Sequence, residues 1–149
     1  MVRQDIARRT VRGRGLTRFI AVCLLSGYAW LALGSAVILI VGGLVPGSAA
    51  YDAAVHAIAL GFVFSMVFGH APIIFPAVLR VAVPYHPSFY APLALLHASL
   101  ALRLAGDATG RSAWVGIGGL LNALALAAFV ASTASAVVRG RLAPHGAGR

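Results

Sequence analysis

The stretch HAIALGFVFSMVFGHAPIIFPAVLR, residues 56–80, decides the fold class of this chain. It is long and apolar enough to cross a bilayer, since about 20 residues of α-helix span a hydrocarbon core of roughly 30 Å. It also carries two imidazoles, His56 and His70, and a polar side chain that lies in lipid needs a partner. The stretch therefore predicts a membrane helix whose histidines either pack against other helices or bind a ligand.

The composition of the whole chain also indicates a membrane protein. Hydrophobic residues make up 60% of the 149 residues, and charged residues make up only 10%. A water-soluble domain of this size would have too few polar side chains to cover its surface. The lipid bilayer is therefore the predicted surrounding of most of the chain.

Positive charge is concentrated outside the apolar runs. The formal net charge of +9 comes from 12 basic residues, all arginines, set against three aspartates. Arginines that flank apolar runs orient helices and contact anionic headgroups, so nucleic acid is not a predicted partner. The single cysteine, Cys23, lies inside an apolar run and is predicted to be a buried, unreactive thiol.

An all-α membrane protein is predicted, with four transmembrane helices in an antiparallel up-down bundle. The predicted spans cover about 19–45, 53–80, 89–105 and 114–138, between basic tails at 1–18 and 139–149. The third span is the shortest and carries both His97 and Arg103. It is predicted to insert as part of a bundle, with the Arg103 side chain extending to the interface.

The arginines also predict the orientation of the bundle. Six of them lie in the tail 1–18 and three more in the tail 139–149. Four spans put both termini on one side of the membrane, and an excess of arginine favours the cytoplasmic side. We therefore expect a multi-pass protein of a bacterial-type inner membrane with both termini cytoplasmic, and with Asp52 and Asp107 on the outer side.

Small residues recur every four positions in two of the spans, which places them on one face of each helix. The second span carries Ala53, Ala57, Gly61, Ser65 and Gly69, and the fourth carries Gly119, Ala123, Ala127, Ala131 and Ser135. Such faces let another helix backbone approach closely. They predict tight packing in the bundle, and contact with a helix of a partner protein or of a second copy.

His70 and His97 are predicted to lie at the same depth. His70 precedes Arg80 by ten residues and His97 follows Ser88 by nine, so at 1.5 Å per residue both lie about 14–15 Å from the inner boundary. Two level imidazoles on antiparallel neighbours suit haem b, whose iron takes one axial nitrogen from each side. We therefore expect His70 and His97 as iron ligands between the second and third helices.

Three further residues are candidates for the same site. Arg103 is placed to pair with a haem propionate, as is Arg80. His56 lies within about 40° of His70 around a regular α-helix. Because His56 is nearer the outer surface and has no level partner on another span, it is expected to bond Asp107 or a water.

Structural roles for the same residues stay open. Histidines in membrane helices also form hydrogen bonds across helix interfaces, and Ser65, Ser99 and Asn122 are available partners. A copper or other metal ion would need a third ligand, which Met66 supplies only weakly. Arg103 can reach the interface without binding any ligand.

The pattern H-A-x-x-x-G-F-x-x-x-x-x-x-G-H-A-P, from His56 to Pro72, resembles histidine-bearing helices of NnrS-like proteins and of haem-copper oxidase subunit I relatives. Those proteins are linked with nitric oxide or oxygen chemistry. The resemblance implies that His56 and His70 belong to a helix associated with haem or metal. A tyrosine and three-histidine copper centre is missing from this chain, so oxygen reduction is not implied.

Two functions are therefore predicted from the sequence. The first is haem b binding for electron transfer or for a function related to NO or O2, and the alternative is a non-catalytic accessory or assembly subunit with structural histidines. Enzymatic activity of the chain alone is not predicted, because it has no phosphate-binding loop, carboxylate pair or nucleophile beside a base. A small multidrug-type exporter would carry an embedded glutamate in its first helix, and this chain has none there.

Overall fold

The computed structural model describes residues 15–80 and 85–142, and every regular element in these two ranges is helical. We name the four long helices α1 to α4. They are α1 (Leu16–Val41), α2 (Ala49–His56, Ala57–Val63 and Phe64–Leu79 in direct succession), α3 (Tyr90–Thr109, after a 3-10 turn at Pro87–Phe89) and α4 (Ser112–Leu142). All four are long and apolar enough to cross a membrane. The predicted all-helical class with four candidate spans is therefore confirmed.

Helix α2 changes its winding at its centre. Its middle segment, Ala57–Val63, is a π-helix between two α-helical segments. A π-helix turns through a smaller angle per residue than an α-helix, so the relation expected between His56 and His70 does not hold across it. Accordingly His56 is half-buried and His70 is exposed. The prediction that His56 and His70 share one face assumed a regular α-helix. The π-helical segment between them makes that assumption invalid.

The helix ends follow local sequence signals and differ from the predicted ranges. α1 ends at Gly42, whose φ of 73° is left-handed and needs a glycine. α2 begins at once after Ser48, whose hydroxyl accepts the Tyr51 backbone N–H as an N-cap. α4 continues to Leu142, past its predicted end, so the first residues of the predicted basic tail 139–149 are helical. Residues 1–14 and 143–149 of the predicted tails lie outside the described ranges.

Helices α1 and α2 pack closely through small residues. Gly69 lies against Cys23, Gly61 lies against Trp30, and Ala57 lies against Gly34. Along these contacts the residue number falls in α2 as it rises in α1, so the two helices run antiparallel. The small-residue face predicted in the second span therefore packs against α1, where it admits a large indole at its centre.

Helices α3 and α4 also run antiparallel, but only Gly119 of the predicted small-residue face of α4 lies against α3. Gly106 lies against Val115 and Gly118 against the Arg103 backbone, while Ser99 bonds to Asn122. The predicted face of Gly119, Ala123, Ala127, Ala131 and Ser135 is exposed from Ala123 onward. The four-residue spacing predicts that these residues share one face. It does not predict that a neighbouring face, with Gly118 and Asn122, contacts α3.

Aromatic contacts join the two helix pairs. Phe19 at the start of α1 is fully buried, and its ring lies 6.0 Å from that of Phe89 and 5.2 Å from that of Tyr90. Toward the other side of α2, the rings of Phe68 and Phe129 stack at 3.8 Å. Since aromatic pairs contribute about 0.5–1.5 kcal/mol beyond their buried area, these contacts hold α1 to α3 and α2 to α4.

Substituting Gly61 by alanine is expected to destabilise the fold. The added methyl group would overlap the Cβ and Cγ atoms of Trp30, and overpacking of this kind costs about 1–3 kcal/mol. The measurement is the free energy of unfolding in mixed detergent micelles. Gly116→Ala is the matched control, because no atom lies within 4 Å of the new methyl group and alanine is the better helix former by about 0.8–1 kcal/mol. Equal losses for both variants would contradict the packing role of Gly61.

Candidate functional site

His97 on α3 is held between two side chains of α1. The Trp30 indole nitrogen lies 2.9 Å from His97 Nδ1, and His97 Nε2 lies 3.0 Å from the Ser26 hydroxyl oxygen. The indole and imidazole planes lie within 24° of one another. Both ring nitrogens of His97 therefore have protein partners.

The chemistry of these partners determines where the protons lie. An indole N–H only donates, so His97 Nδ1 must accept and the neutral ring carries its proton on Nε2. That N–H donates to Ser26, whose hydroxyl donates in turn to the Val22 carbonyl at 2.8 Å. The result is a continuous chain from Trp30 through His97 to the α1 backbone, in which each polar atom is satisfied without a charge.

A second polar cluster lies at the Asp52 end of α2. Arg103 on α3 donates three hydrogen bonds to the Asp52 carboxylate, at 2.8 to 3.1 Å. The two side chains are 17% and 32% exposed respectively, so the pair is partly shielded from solvent. This planar, two-point pairing is the geometry in which arginine and carboxylate interact most strongly. It joins the pair α1–α2 to the pair α3–α4 at the end that is predicted to lie on the outer side of the membrane.

His56 and Asp107 complete this cluster. His56 Nδ1 donates to the Asp52 backbone carbonyl at 2.8 Å and lies 3.3 Å from the Asp52 carboxylate. Asp107 lies beside Asp52, and its Oδ2 atom is buried without a hydrogen-bond partner. An open pocket of about 450 Å³ adjoins Asp52, Arg103 and Asp107. The cluster thus has two carboxyl groups and one guanidinium, and the guanidinium pairs with Asp52.

His70 lies apart from both clusters. Its side chain is exposed on α2, and Nδ1 lies 2.7 Å from the Met66 backbone carbonyl oxygen. Because a carbonyl oxygen only accepts, Nδ1 carries the proton and Nε2 has a free lone pair. The proton of His70 is therefore on the opposite nitrogen from that of His97.

The structure does not bring the predicted iron ligands together. His97 bonds to α1 through both nitrogens, while His70 is exposed on α2. These residues do not fit a haem between α2 and α3, because an iron there would have to displace Ser26 or Trp30 from His97. No group of three or more metal-ligand side chains of His, Cys, Asp or Glu occurs within residues 15–80 and 85–142.

The remaining predicted partners also differ from what the structure shows. Arg103 pairs with Asp52, so its guanidinium neither extends freely to the interface nor remains available to a propionate. His56 bonds to Asp52, whereas the expected partner was Asp107 or a water. Ser65 donates to the Gly61 carbonyl and Ser99 contacts Asn122, so neither supports a histidine.

Sequence reasoning gave no site role to Ser26, Trp30 or Asp52, and it named Asp107 only as one expected partner of His56. The indole of Trp30 carries a donor that needs a partner inside a span, which was the available signal. Asp52 and Asp107 are two of only three acidic residues in the chain. Their position near an arginine within apolar segments was the signal for a buried ion pair.

Comparison with known proteins gives one family. The family model described as Domain of unknown function (DUF8744) matches residues 1–138. No curated protein and no solved structure matches the chain.

Asp52→Asn and Asp107→Asn are expected to have different effects on stability. Asp52→Asn leaves the Arg103 guanidinium without its counter-charge, and after allowance for partial exposure it should cost about 1–3 kcal/mol. Asp107→Asn removes a second carboxylate beside Asp52 and adds an amide donor, so it should be neutral or stabilising by up to about 1 kcal/mol. Free energies of unfolding in mixed micelles measure both effects.

The two aspartate variants serve as controls for each other, because they make the same chemical change in the same pocket. Asp107→Asn costing as much as Asp52→Asn would contradict the assignment of Asp52 as the paired carboxylate.

Proposed function

The chain belongs to the family described as Domain of unknown function (DUF8744), and we propose that this protein is a non-catalytic accessory or assembly subunit of a larger membrane complex. The observation that carries the proposal is the hydrogen bonding of His97. Both of its nitrogens are bonded to α1, so this histidine serves to hold two helices together. A polar side chain used in this way stabilises a membrane bundle by supplying a directional contact between helices.

The Asp52–Arg103 pair supports the same proposal. It joins α2 to α3 by three hydrogen bonds, much as His97 joins α3 to α1. A transporter or an enzyme would need free ionisable residues. In this bundle three such residues are engaged with one another or with neighbouring helices, namely His97, Arg103 and Asp52. The pairing favours a bundle with a fixed shape over one that carries chemistry of its own.

Haem b binding, for electron transfer or for a function related to NO or O2, is the competing proposal. Of the two predicted ligands, only His70 retains a nitrogen with a free lone pair. A histidine that donates its Nδ1–H to a backbone carbonyl and leaves Nε2 open is also in the state in which it ligates metals. A haem on His70 would need a second axial ligand other than His97, whose two nitrogens are both bonded to α1.

We further propose that the four helices form an up-down bundle in a bacterial-type inner membrane with both termini cytoplasmic. The support is the distribution of arginine, with six in residues 1–18 and three in residues 139–149. This orientation puts the Asp52–Arg103 pair near the outer surface. Residues 85–86 and the turn at Pro87–Phe89 then face the cytoplasm.

The accessory role is tested by the size and the spectrum of the protein. Extracted from its own membrane in mild detergent, the chain should migrate on a native gel in an assembly far larger than its 15.3 kDa. Produced alone, it should be colourless and free of iron. Trp30→Phe should lower the free energy of unfolding by about 1–2 kcal/mol, because it removes the donor to His97.

A reducible Soret band in the wild-type protein that disappears on substituting His97 or His70 would favour haem binding. A chain that runs alone after mild extraction from its own membrane would contradict the accessory role.

The orientation is tested by cysteine labelling in intact cells. Cys23 is fully buried, so the native chain gives a low background with a membrane-impermeant maleimide. Ser112→Cys, at the start of α4, should react from outside the cell. Ser88→Cys, in the turn before α3, should react only after the cytoplasmic side is opened. The reverse pattern would place both termini outside.

A further inference from the structure

An exposed stripe of α2, which we call the His70 stripe, consists of Val67, His70, Ile74 and Val78. At 100° per residue these four side chains fall within about 80° of each other around the helix. All four are exposed, and exposed fractions of 52% at Ile74 and 71% at Val78 show that no described helix of this chain covers them. The stripe is therefore apolar apart from one imidazole at its centre.

The depth of His70 makes that imidazole costly in lipid. It lies about 15 Å along the helix from Arg80, which is near the middle of a hydrocarbon core of roughly 30 Å. The side chain already spends its one proton on the Met66 carbonyl. Its Nε2 is an acceptor that lipid chains cannot satisfy, so the protein exposes an unmet hydrogen-bonding group at mid-membrane.

We propose that the His70 stripe docks a transmembrane helix of a different protein, and that this helix donates a hydrogen bond to His70 Nε2. The donor is a hydroxyl, amide or indole N–H placed at the level of His70. The apolar residues on either side supply the van der Waals packing that drives helix association in lipid. This inference rests on the proposed accessory role, because it names the surface and the chemistry through which the subunit binds its complex.

A second copy of this chain does not fit the stripe in a two-fold symmetric dimer. In a parallel two-fold dimer packed through this stripe, the two copies of His70 lie at the same depth and face each other across the axis. Two Nε2 atoms would then face each other, and both are acceptors while each Nδ1–H remains bonded to its Met66 carbonyl. The fixed tautomer therefore selects a partner that brings a donor.

The test uses the full chain in its own membrane, with the photoreactive residue benzoylphenylalanine in place of Ile74. The same residue in place of Leu124, which is 50% exposed on α4, is the matched control. Light should join the Ile74 position, and not the Leu124 position, to one partner chain. Peptide mass spectrometry should place the attachment in an apolar segment that carries a hydroxyl, amide or indole donor.

The role of the acceptor is tested by two further substitutions in the chain with the Ile74 probe. His70→Leu should reduce the adduct about tenfold, while His70→Gln, which keeps an acceptor oxygen, should keep most of it. His70 is exposed, so both variants should retain the native unfolding temperature. An adduct of two copies of this chain, an adduct indifferent to His70→Leu, or a haem spectrum lost in His70→Leu would each overturn the inference.

The outcome separates this inference from the proposed function. If the chain still migrates in a large assembly but the adduct does not depend on His70, the accessory role stands and the docking surface lies elsewhere. If no large assembly forms, both fail.

Discussion

The hydrocarbon core of a bilayer offers no water, so each polar group placed there must find its partner in protein, and the arrangement of α1, α2 and α3 follows from that constraint. The indole of Trp30 and the imidazole of His97 satisfy each other at 2.9 Å. They can meet only because Gly61, in the π segment of α2, leaves room for the indole. One missing methyl group thus decides how closely α1 packs on α2 and where α1 presents its donor to α3.

The same constraint acts at the Asp52 end of the bundle with charges instead of neutral groups. Arg103 would be costly inside an apolar helix if it stood alone, but its bonds to Asp52 neutralise it and connect the two helix pairs. Gly118 lets α4 approach the Arg103 backbone closely, so α4 also encloses the pair. Two polar joints at different depths, one neutral and one ionic, therefore resist the sliding that purely apolar helices in lipid would permit.

The sequence predicted the number of helices and the packing face of α2, because both depend on local runs of hydropathy and residue size. It did not predict the partners of the histidines. Depth along a helix follows from residue counting, but the direction of a side chain depends on the winding of the helix and on its neighbours. The π segment Ala57–Val63 alters that winding between His56 and His70, and the reach of Trp30 across to α3 cannot be read from spacing.

His70 and His97 show how identical side chains come to serve opposite purposes in one bundle. In His97 the indole donor forces Nδ1 to accept, which sends the proton to Nε2 and completes a closed chain of bonds inside the protein. In His70 the Met66 carbonyl draws the proton to Nδ1 and leaves the lone pair of Nε2 facing outward. A neutral imidazole has one ring proton, so the hydrogen-bond partner of one nitrogen determines whether the other nitrogen donates or accepts. The hydrogen bonding of His97 inside the bundle is thus complete, whereas the α2 surface still has an acceptor that needs a donor.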